Sequence, residues 1–252
     1  GAAASVLAAL DSGVLSRGGF DRYSLNPLSR LENAPGAQIA PTLTSRELLP
    51  EAAVRGSGAN VADFSVLAVR DARVRQAVDL ALRARQNTAQ TGDLVVGTGA
   101  RIALEPGANL ALDGLNGVAV DGALTARGGA IAAASDRDVN LGAHATLDVS
   151  GIAQTYRDAR GLTQGTVRAG GTVDLSAARV TAEAGSRIDV SGAAPVRLDV
   201  PNETGGLGRT VGSEAGSATV YADGAIRLDG AFAADGGGAG LRGRLFSATL
   251  GD

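Results

Sequence analysis

The residues with the clearest chemical potential are aspartates that stand between two residues predicted to point inward. They are Asp113, Asp148, Asp174, Asp189, Asp199 and Asp229. Because successive side chains of a strand point to opposite faces, these carboxylates are predicted to point outward. Carboxylates that lie in a row can hold calcium, or can act as acid and base on a glycosidic bond. One interpretation is therefore a β-helical protein that binds or cleaves polysaccharides through its outward aspartates.

The alternative interpretation is a solvated surface of paired charges. Arg187, Arg197 and Arg227 each stand two residues before an aspartate. That spacing places each arginine on the same predicted outward face as its aspartate, where the two side chains can pair. We favour this interpretation, and no aspartate is predicted to be catalytic or to bind a metal.

The other candidate residues lack the partners that their chemistry needs. His144 is the only histidine and the chain has no cysteine, so neither a His-based metal cluster nor a nucleophile–His–acid triad can be assembled. Ser150 and Ser191 stand at predicted bends with no base to activate them. The tyrosines are too scattered for the aromatic platform of a sugar site: Tyr23, Tyr156 and Tyr221. The sequence predicts no catalytic residue, no cofactor-binding residue and no metal ligand, and His144 is predicted to be a surface turn residue.

Three short motifs only partly match known binding sites. Residues 97–99 read GTG, but a strand is predicted after them where a nucleotide site needs a helix. Residues 235–240 read DGGGAG, which occurs once and lacks the closing aspartate of the calcium nonapeptide. Residues 202–204 read NET, which has the spacing of a glycosylation site and is interpreted as chance.

The composition favours a thin core of small side chains. Of the 252 residues, 44% are hydrophobic but only 3% are aromatic, and glycine occurs 37 times. Stacked small aliphatic residues suit a solenoid better than a compact globule. The formal net charge of −3 gives no electrostatic reason to expect a nucleic acid partner. No apolar run reaches the ~20 residues of a membrane span, and the start of the chain lacks a basic signal region, so we expect an interior piece of a longer chain.

Alternation of apolar and polar residues is the strongest structural signal. From residue 78 onward, strands of about three to five residues alternate in this way and end at Gly, Ala or Ser bends. The residues predicted to point inward are Val78/Leu80/Leu82, Leu94/Val96, Ile102/Leu104, Leu110/Leu112, Val118/Val120, Leu124/Ala126, Ile131/Ala133, Val139/Leu141, Leu147/Val149, Val173/Leu175, Val180/Ala182, Ile188/Val190, Val220/Ala222, Ile226/Leu228, Phe232/Ala234 and Leu245. Such strands are too short for a hairpin meander. The sequence predicts an all-β parallel β-helix, in which coils of roughly 20 residues stack on one another.

The chain is predicted to have two parts. Residues 1–77 form an irregular part with a few strands and long excursions, and residues 78–252 form the regular β-helix. In the first part we predict an apolar run at 6–10, a strand at 20–25 and a short strand near 38–39, within a proline-rich excursion over 26–75. Loops are predicted at 152–166 and 200–217. Since irregular loops on a regular scaffold usually carry recognition, deletion of 202–214 is expected to leave folding intact.

Several stretches together resemble the filamentous-haemagglutinin family of Gram-negative exoproteins. They are GGFDRYSL (18–25), PGAQIAP (35–41), GDLVVGTGARIALEPGANLAL (92–112), GGTVDLSA (170–177) and GSRIDVSG (185–192). The resemblance covers most of the chain, and the order of the motifs is more specific than any one of them. The family's secretion domain carries Asn-Pro-Asn motifs, whereas Asn26-Pro27 is followed here by Leu28. We therefore place this chain in the shaft, beyond the secretion domain.

The resemblance implies a right-handed β-helical shaft that is exported through an outer-membrane two-partner transporter. It implies a location outside the cell or on the outer cell surface of a Gram-negative bacterium. The function would be that of a non-catalytic adhesin segment, with a host or bacterial receptor or glycan as partner. A phage tailspike or an autotransporter passenger is the remaining alternative.

Overall fold

A computed structural model describes residues 15, 19–27, 30–50, 60–85, 92–201 and 206–251. These residues form an all-β structure with strands β1 to β23 and a short 3₁₀ helix at Val61–Phe64. No helix in these ranges is long and apolar enough to cross a bilayer. The apolar run predicted at 6–10 and the NET motif at 202–204 lie outside the described residues.

Most strands belong to three stacks of parallel strands. Stack 1 contains β1 (Arg22–Leu25), β6 (Asp79–Ala84), β9 (Asn109–Gly114), β12 (Ala130–Ser135), the first halves of β17 (Thr172–Ala182) and β21 (Ser217–Leu228), and β23 (Leu245–Leu250). Stack 2 contains β2 (Arg30–Asn33), β7 (Asp93–Val96), β10 (Gly117–Val120), β13 (Asp138–Leu141) and the second halves of β17 and β21. Stack 3 contains β3 (Gln38–Ile39), β8 (Arg101–Ala103), β11 (Ala123–Thr125), β14 (Thr146–Asp148), β18 (Arg187–Asp189) and β22 (Ala231–Ala233).

The chain visits the stacks in a fixed order. It passes through stack 1, stack 2 and stack 3, and then returns to stack 1, so each repeat adds one strand to each stack. Stacks 1 and 2 form one 11-stranded sheet because β17 and β21 run through both, and stack 3 is a 6-stranded sheet. The pairing of β1, β2 and β3 with β6, β7 and β8 extends this arrangement to both sides of residue 78. The division into two parts at that residue stays a prediction.

In-register pairing keeps each apolar side chain above another one. Val118 pairs with Leu94 on one side and with Val139 on the other. Leu124 lies in the same way between Ile102 and Leu147, and all three are fully buried. The inward residues predicted between 78 and 190 are buried, which confirms the alternation over that range. The strand predicted around Val78, Leu80 and Leu82 and the short strand predicted near 38–39 are also confirmed.

The last repeat departs from the predicted burial. Phe232 is 37% exposed and Leu245 is 58% exposed, while Ile226 and Leu228 are half-buried. Among the described strands, β22 pairs with β18 alone and β23 with β21 alone. Inward side chains are covered only where a repeat lies on both sides, so the alternating pattern overestimates burial at this edge.

The predicted loops contain antiparallel hairpins, which corrects the sequence interpretation. Hairpin 1 is β4 (Thr44–Leu48) with β5 (Ser65–Val69), hairpin 2 is β15 (Ile152–Arg157) with β16 (Thr163–Arg168), and hairpin 3 is β19 (Val196–Pro201) with β20 (Leu207–Val211). The hairpin strands lie outside the stacked core and carry no alternating row of buried apolar residues, so alternation did not reveal them.

All three hairpins leave the stacks at the same corner. Each stands between a strand of stack 3 and the next strand of stack 1, which we name the insertion corner. Two intervening repeats pass this corner in short turns, at 104–108 and 126–129. At the insertion corner, projecting hairpins therefore flank repeats that turn without an insertion.

Candidate functional site

Ion pairs engage most of the outward aspartates. The shortest nitrogen–oxygen distances are 2.5 Å for Arg85–Asp113, 3.0 Å for Arg127–Asp148, 2.7 Å for Arg187–Asp189, 2.6 Å for Arg227–Asp229 and 4.0 Å for Arg197–Asp199. The pairing predicted for Arg187 and Arg227 is confirmed, and Arg197 approaches its aspartate only loosely. Asp174 is exposed and has no ion-pair partner among the described residues.

Two of these aspartates lie next to each other in register. Asp148 pairs with Asp189 across β14 and β18. The amide and hydroxyl of Ser150 donate to Asp148 Oδ1 at 2.9 and 2.6 Å, and the amide of Ser191 donates to Asp189 Oδ1 at 2.9 Å. Burial opposes the charge of Asp189, but Ser191 and Arg187 outweigh it and lower the pKa of that carboxyl. Ser150 and Ser191 thus donate hydrogen bonds to carboxylates that are also ion-paired with arginines.

His144 lies in a surface turn, as predicted, and its side chain is 70% exposed. Its Nδ1 lies 3.2 Å from Asp121 Oδ1, and Thr98 Oγ1 donates to Asp121 Oδ2 at 2.5 Å. The Thr98 hydroxyl and the backbone amide of His144 lower the pKa of Asp121. The carboxylate stands between hydroxyl and imidazole, whereas a nucleophilic triad needs the imidazole in the middle. In the described ranges no three His, Asp or Glu residues converge as metal ligands.

A cleft of about 810 Å³ lies at the insertion corner. One wall is the segment 72–77, which returns from hairpin 1 to β6, and the other wall is hairpin 2. The floor is the short turn at 105–107. The cleft exists because the repeats between these two insertions carry none of their own. Its volume lies within the usual range for small-molecule sites.

The first wall is held in place by a partly buried ion pair. Arg75 Nε donates to the two carboxylate oxygens of Glu105 at 2.8 and 3.0 Å. The side chains are 15% and 17% exposed, so the pair is protected from solvent. Arg75 also donates to the carbonyl oxygen of Arg70 at 2.6 Å. These contacts fix the segment 72–77 against the cleft floor.

The two walls meet at an aromatic ring. The guanidinium carbon of Arg73 lies 4.4 Å from the ring centroid of Tyr156 on hairpin 2, which is a cation–π distance. Arg73 Nε also donates to Asp71 Oδ1 at 2.8 Å, and its backbone amide donates to the same oxygen at 2.9 Å. The side chain first and then the backbone amide of Arg73 lower the pKa of Asp71 to about 2. Tyr156 remains 40% exposed. An aromatic surface is therefore accessible at the mouth of the cleft.

The guanidinium of Arg168 lies over the cleft floor. A Cβ added to Gly107 would lie 3.0 Å from Arg168 Nη1, and one added to Gly128 would lie 3.0 Å from Arg168 Cβ. Both glycines have a positive φ, of 87° and 61°, which side chains other than glycine rarely adopt. The absence of side chains at the two short turns thus makes room for Arg168. No described carboxylate lies within ion-pair distance of this guanidinium.

Hairpins 2 and 3 support each other. The amide of Thr163 donates to Asp199 Oδ2 at 2.8 Å, and Gln164 Nε2 donates to the carbonyl oxygen of Asp199 at 3.2 Å. The first of these hydrogen bonds is the main cause of the lowered pKa of Asp199. Asp199, an aspartate singled out as a candidate for chemistry, therefore has a structural role between two hairpins.

No protein family, no curated protein and no solved structure matches this chain. The resemblance to filamentous haemagglutinins thus remains an expectation from the sequence. Sequence reasoning also missed the cleft, because its residues come from three distant segments and have no common motif. A signal was nevertheless present, since long insertions at 40–77 and 150–170 flank turns of only a few residues.

Proposed function

We propose that the stacked repeats form a right-handed parallel β-helix that serves as a rigid, non-catalytic shaft. The observation that carries this proposal is the in-register parallel pairing of all three stacks. Connections between parallel strands of one sheet are overwhelmingly right-handed, because that hand follows from the twist of the strands. A stack of repeats with a common axis resists bending, since each strand in the interior of a stack is hydrogen-bonded to the strands of the repeats on both sides.

The shaft would belong to a secreted or surface-displayed adhesin of a Gram-negative bacterium. Support comes from the resemblance of the motifs to filamentous haemagglutinins and from the separation of a regular interior from hairpins at one corner. Such a chain would use an outer-membrane two-partner transporter during export. A cell-surface receptor or glycan would contact the hairpins, because they are the parts that project from the stacks.

The ion pairs of the outward aspartates support a non-catalytic shaft over a polysaccharide-cleaving enzyme. A hydrolytic pair needs one carboxylic acid with a raised pKa near a free carboxylate. Asp189 and Asp199 instead have lowered pKa values, and arginines neutralise most of the row.

Export and adhesion test the proposal. The complete open reading frame is expressed in a Gram-negative host, with and without its outer-membrane transporter. We expect the chain outside the cell only when the transporter is present, and we expect the exported protein to attach to cells. Retention inside the cell in both cases, or release of reducing sugar from polysaccharides, would contradict the proposal. A left-handed winding in an experimental structure would overturn the proposed handedness alone.

A further inference from the structure

We propose that the cleft at the insertion corner binds an acidic oligosaccharide through a sugar carboxylate that pairs with Arg168. This inference deepens the adhesin function proposed above and rests on it. It commits to one chemical class of ligand for one named site.

The charge of the ligand follows from a guanidinium that no described carboxylate engages. The lining also contains Asp79, whose oxygens accept from Arg22 Nη2 at 3.5 Å and from the amide of Asn109 at 2.8 Å. Of the three arginines that line the cleft, Arg73 is engaged by Asp71 and Arg75 by Glu105. Arg168 alone has no described carboxylate partner. Its planar fork offers paired N–H donors whose spacing matches the two oxygens of a carboxylate. A cation held over a cleft floor favours an anionic group at that position.

The saccharide character of the ligand follows from the remaining lining. The polar side chains of Gln76, Gln154 and Thr166 border the cleft, beside the exposed ring of Tyr156. Asn109 also lines the cleft, and its Nδ2 donates to Asp79 Oδ1 at 3.1 Å. Amides and hydroxyls hydrogen-bond the hydroxyls of a sugar, and an aromatic ring packs on the apolar face of a pyranose. Apolar pockets for peptide side chains are absent from the described lining, which has Val74 and Pro106 as its largest aliphatic residues.

The position of Arg168 is set by the fold and does not require a ligand. Its stem lies over Gly128 and its guanidinium over Gly107. Its carbonyl oxygen accepts a hydrogen bond from the hydroxyl of Ser213 at 3.1 Å. A side chain that is positioned before binding loses less entropy when a ligand pairs with it.

Calorimetric titration with trigalacturonate tests the inference on the purified chain. The same trisaccharide with its carboxylates methyl-esterified is the neutral counterpart. A trisaccharide without carboxylates that bears sulfate esters is the second counterpart, because it keeps the negative charge but not the carboxylate. We expect the chain to bind trigalacturonate and to bind the methyl ester about 10- to 100-fold more weakly, as expected for a charged hydrogen bond. Equal binding of the acid and the ester, tighter binding of the sulfated sugar, or no binding would each overturn the inference.

Matched variants locate the binding site. Arg168→Gln is expected to weaken trigalacturonate binding about 10- to 100-fold and to remove its discrimination against the methyl ester. The control is Arg137→Gln, which removes an exposed guanidinium from the corner between stacks 1 and 2. Equal weakening by both variants would show a general charge effect and overturn the site. If Arg168→Gln does not fold, the comparison of the acid with the ester on the unaltered chain still tests whether the protein recognises the sugar carboxylate.

The outcome separates the two proposals. Transporter-dependent export and attachment to cells without trigalacturonate binding would overturn the acidic-sugar site and leave the adhesin function standing. Trigalacturonate binding by a chain that is never exported would overturn the adhesin function.

Discussion

The hydroxyl of Ser213 donates a hydrogen bond to the carbonyl oxygen of Arg168 at 3.1 Å and accepts one from the amide of Ala193 at 2.7 Å. Arg168 ends hairpin 2, and Ala193 and Ser213 stand on the two sides of hairpin 3. Ser213 is 9% exposed. One buried hydroxyl therefore connects the bases of two hairpins.

Ser213→Ala is expected to lower the free energy of unfolding by about 1–3 kcal/mol, because it leaves the buried amide of Ala193 and the partly buried carbonyl of Arg168 without this partner. Urea denaturation measures the loss. Ser24→Ala, at an exposed position of β1, is the control and is expected to change stability by less than about 0.5 kcal/mol. Equal stability of the two variants would contradict the proposed connection. The deletion of 202–214 considered from the sequence also removes Ser213, so a deletion that ends before residue 212 is the better test of a dispensable hairpin.

Glycine is required where neighbouring repeats touch at the insertion corner. A Cβ added to Gly171 would lie 1.9 Å from the carbonyl oxygen of Gly129, which is too close for any atom pair. Gly171→Ala is expected to destabilise the fold by about 2–3 kcal/mol or more, since backbone has to move in two repeats. Thermal unfolding followed by circular dichroism measures the effect. Gly117→Ala is the control, because its added Cβ would have no neighbour closer than 3.7 Å; similar melting of both variants would refute the contact.

Burial between two repeats should determine the cost of removing an aliphatic side chain. Leu124 is fully buried between Ile102 and Leu147, so Leu124→Ala is expected to cost about 2–5 kcal/mol. Leu245→Ala removes a leucine that is 58% exposed and is expected to cost less than about 1 kcal/mol. Chemical denaturation of the two variants gives the difference. A larger loss at Leu245 than at Leu124 would contradict the described core.

Acid is expected to weaken the fold through Asp189. Its pKa is lowered from 3.8 in the folded state, because Ser191 and Arg187 favour the ionised form more than burial opposes it. The contribution of this carboxylate is therefore present above the unfolded value and is lost as the pH falls through the lowered folded value. Denaturation between about pH 2 and pH 7 should show a shallower acid loss for Asp189→Asn than for the unaltered chain. Asp174→Asn, which removes an outward carboxylate without a described ion pair, is the control. An unchanged pH profile for Asp189→Asn would contradict this role.

Alternation predicted the inner face of the stacks because burial there repeats every second residue. Val118, Leu124 and Ile131 could be placed inward from the sequence, since a shift of one residue would expose each of them to water. The in-register stacking of these residues follows from the same requirement. The pattern failed at Phe232 and Leu245, where burial depends on a neighbouring repeat and not on the strand itself.

The alternation of apolar and polar residues could not predict the hairpins or the cleft. Tyr156 and Arg168 belong to strands without a buried face, so the residue types of these strands carry no alternating signal. Arg73 reaches Tyr156 from a segment far away in the sequence, and only the order of the repeats brings the two together. Short-range pairs were easier to predict, as Arg187–Asp189 and Arg227–Asp229 show.

The three described hairpins all lie at the insertion corner, and this placement separates two kinds of evolutionary change. A new peptide inserted there lengthens a connection that already points away from the core, and the ladders of hydrogen bonds on the three stacks stay unbroken. Length variation at this corner has little entropic cost, whereas insertion within a strand would disrupt every repeat stacked above it. Related chains would therefore differ mainly in the hairpins, which determine what they recognise, and would keep the stacked repeats. Foreign epitopes could be inserted at the same corner for display.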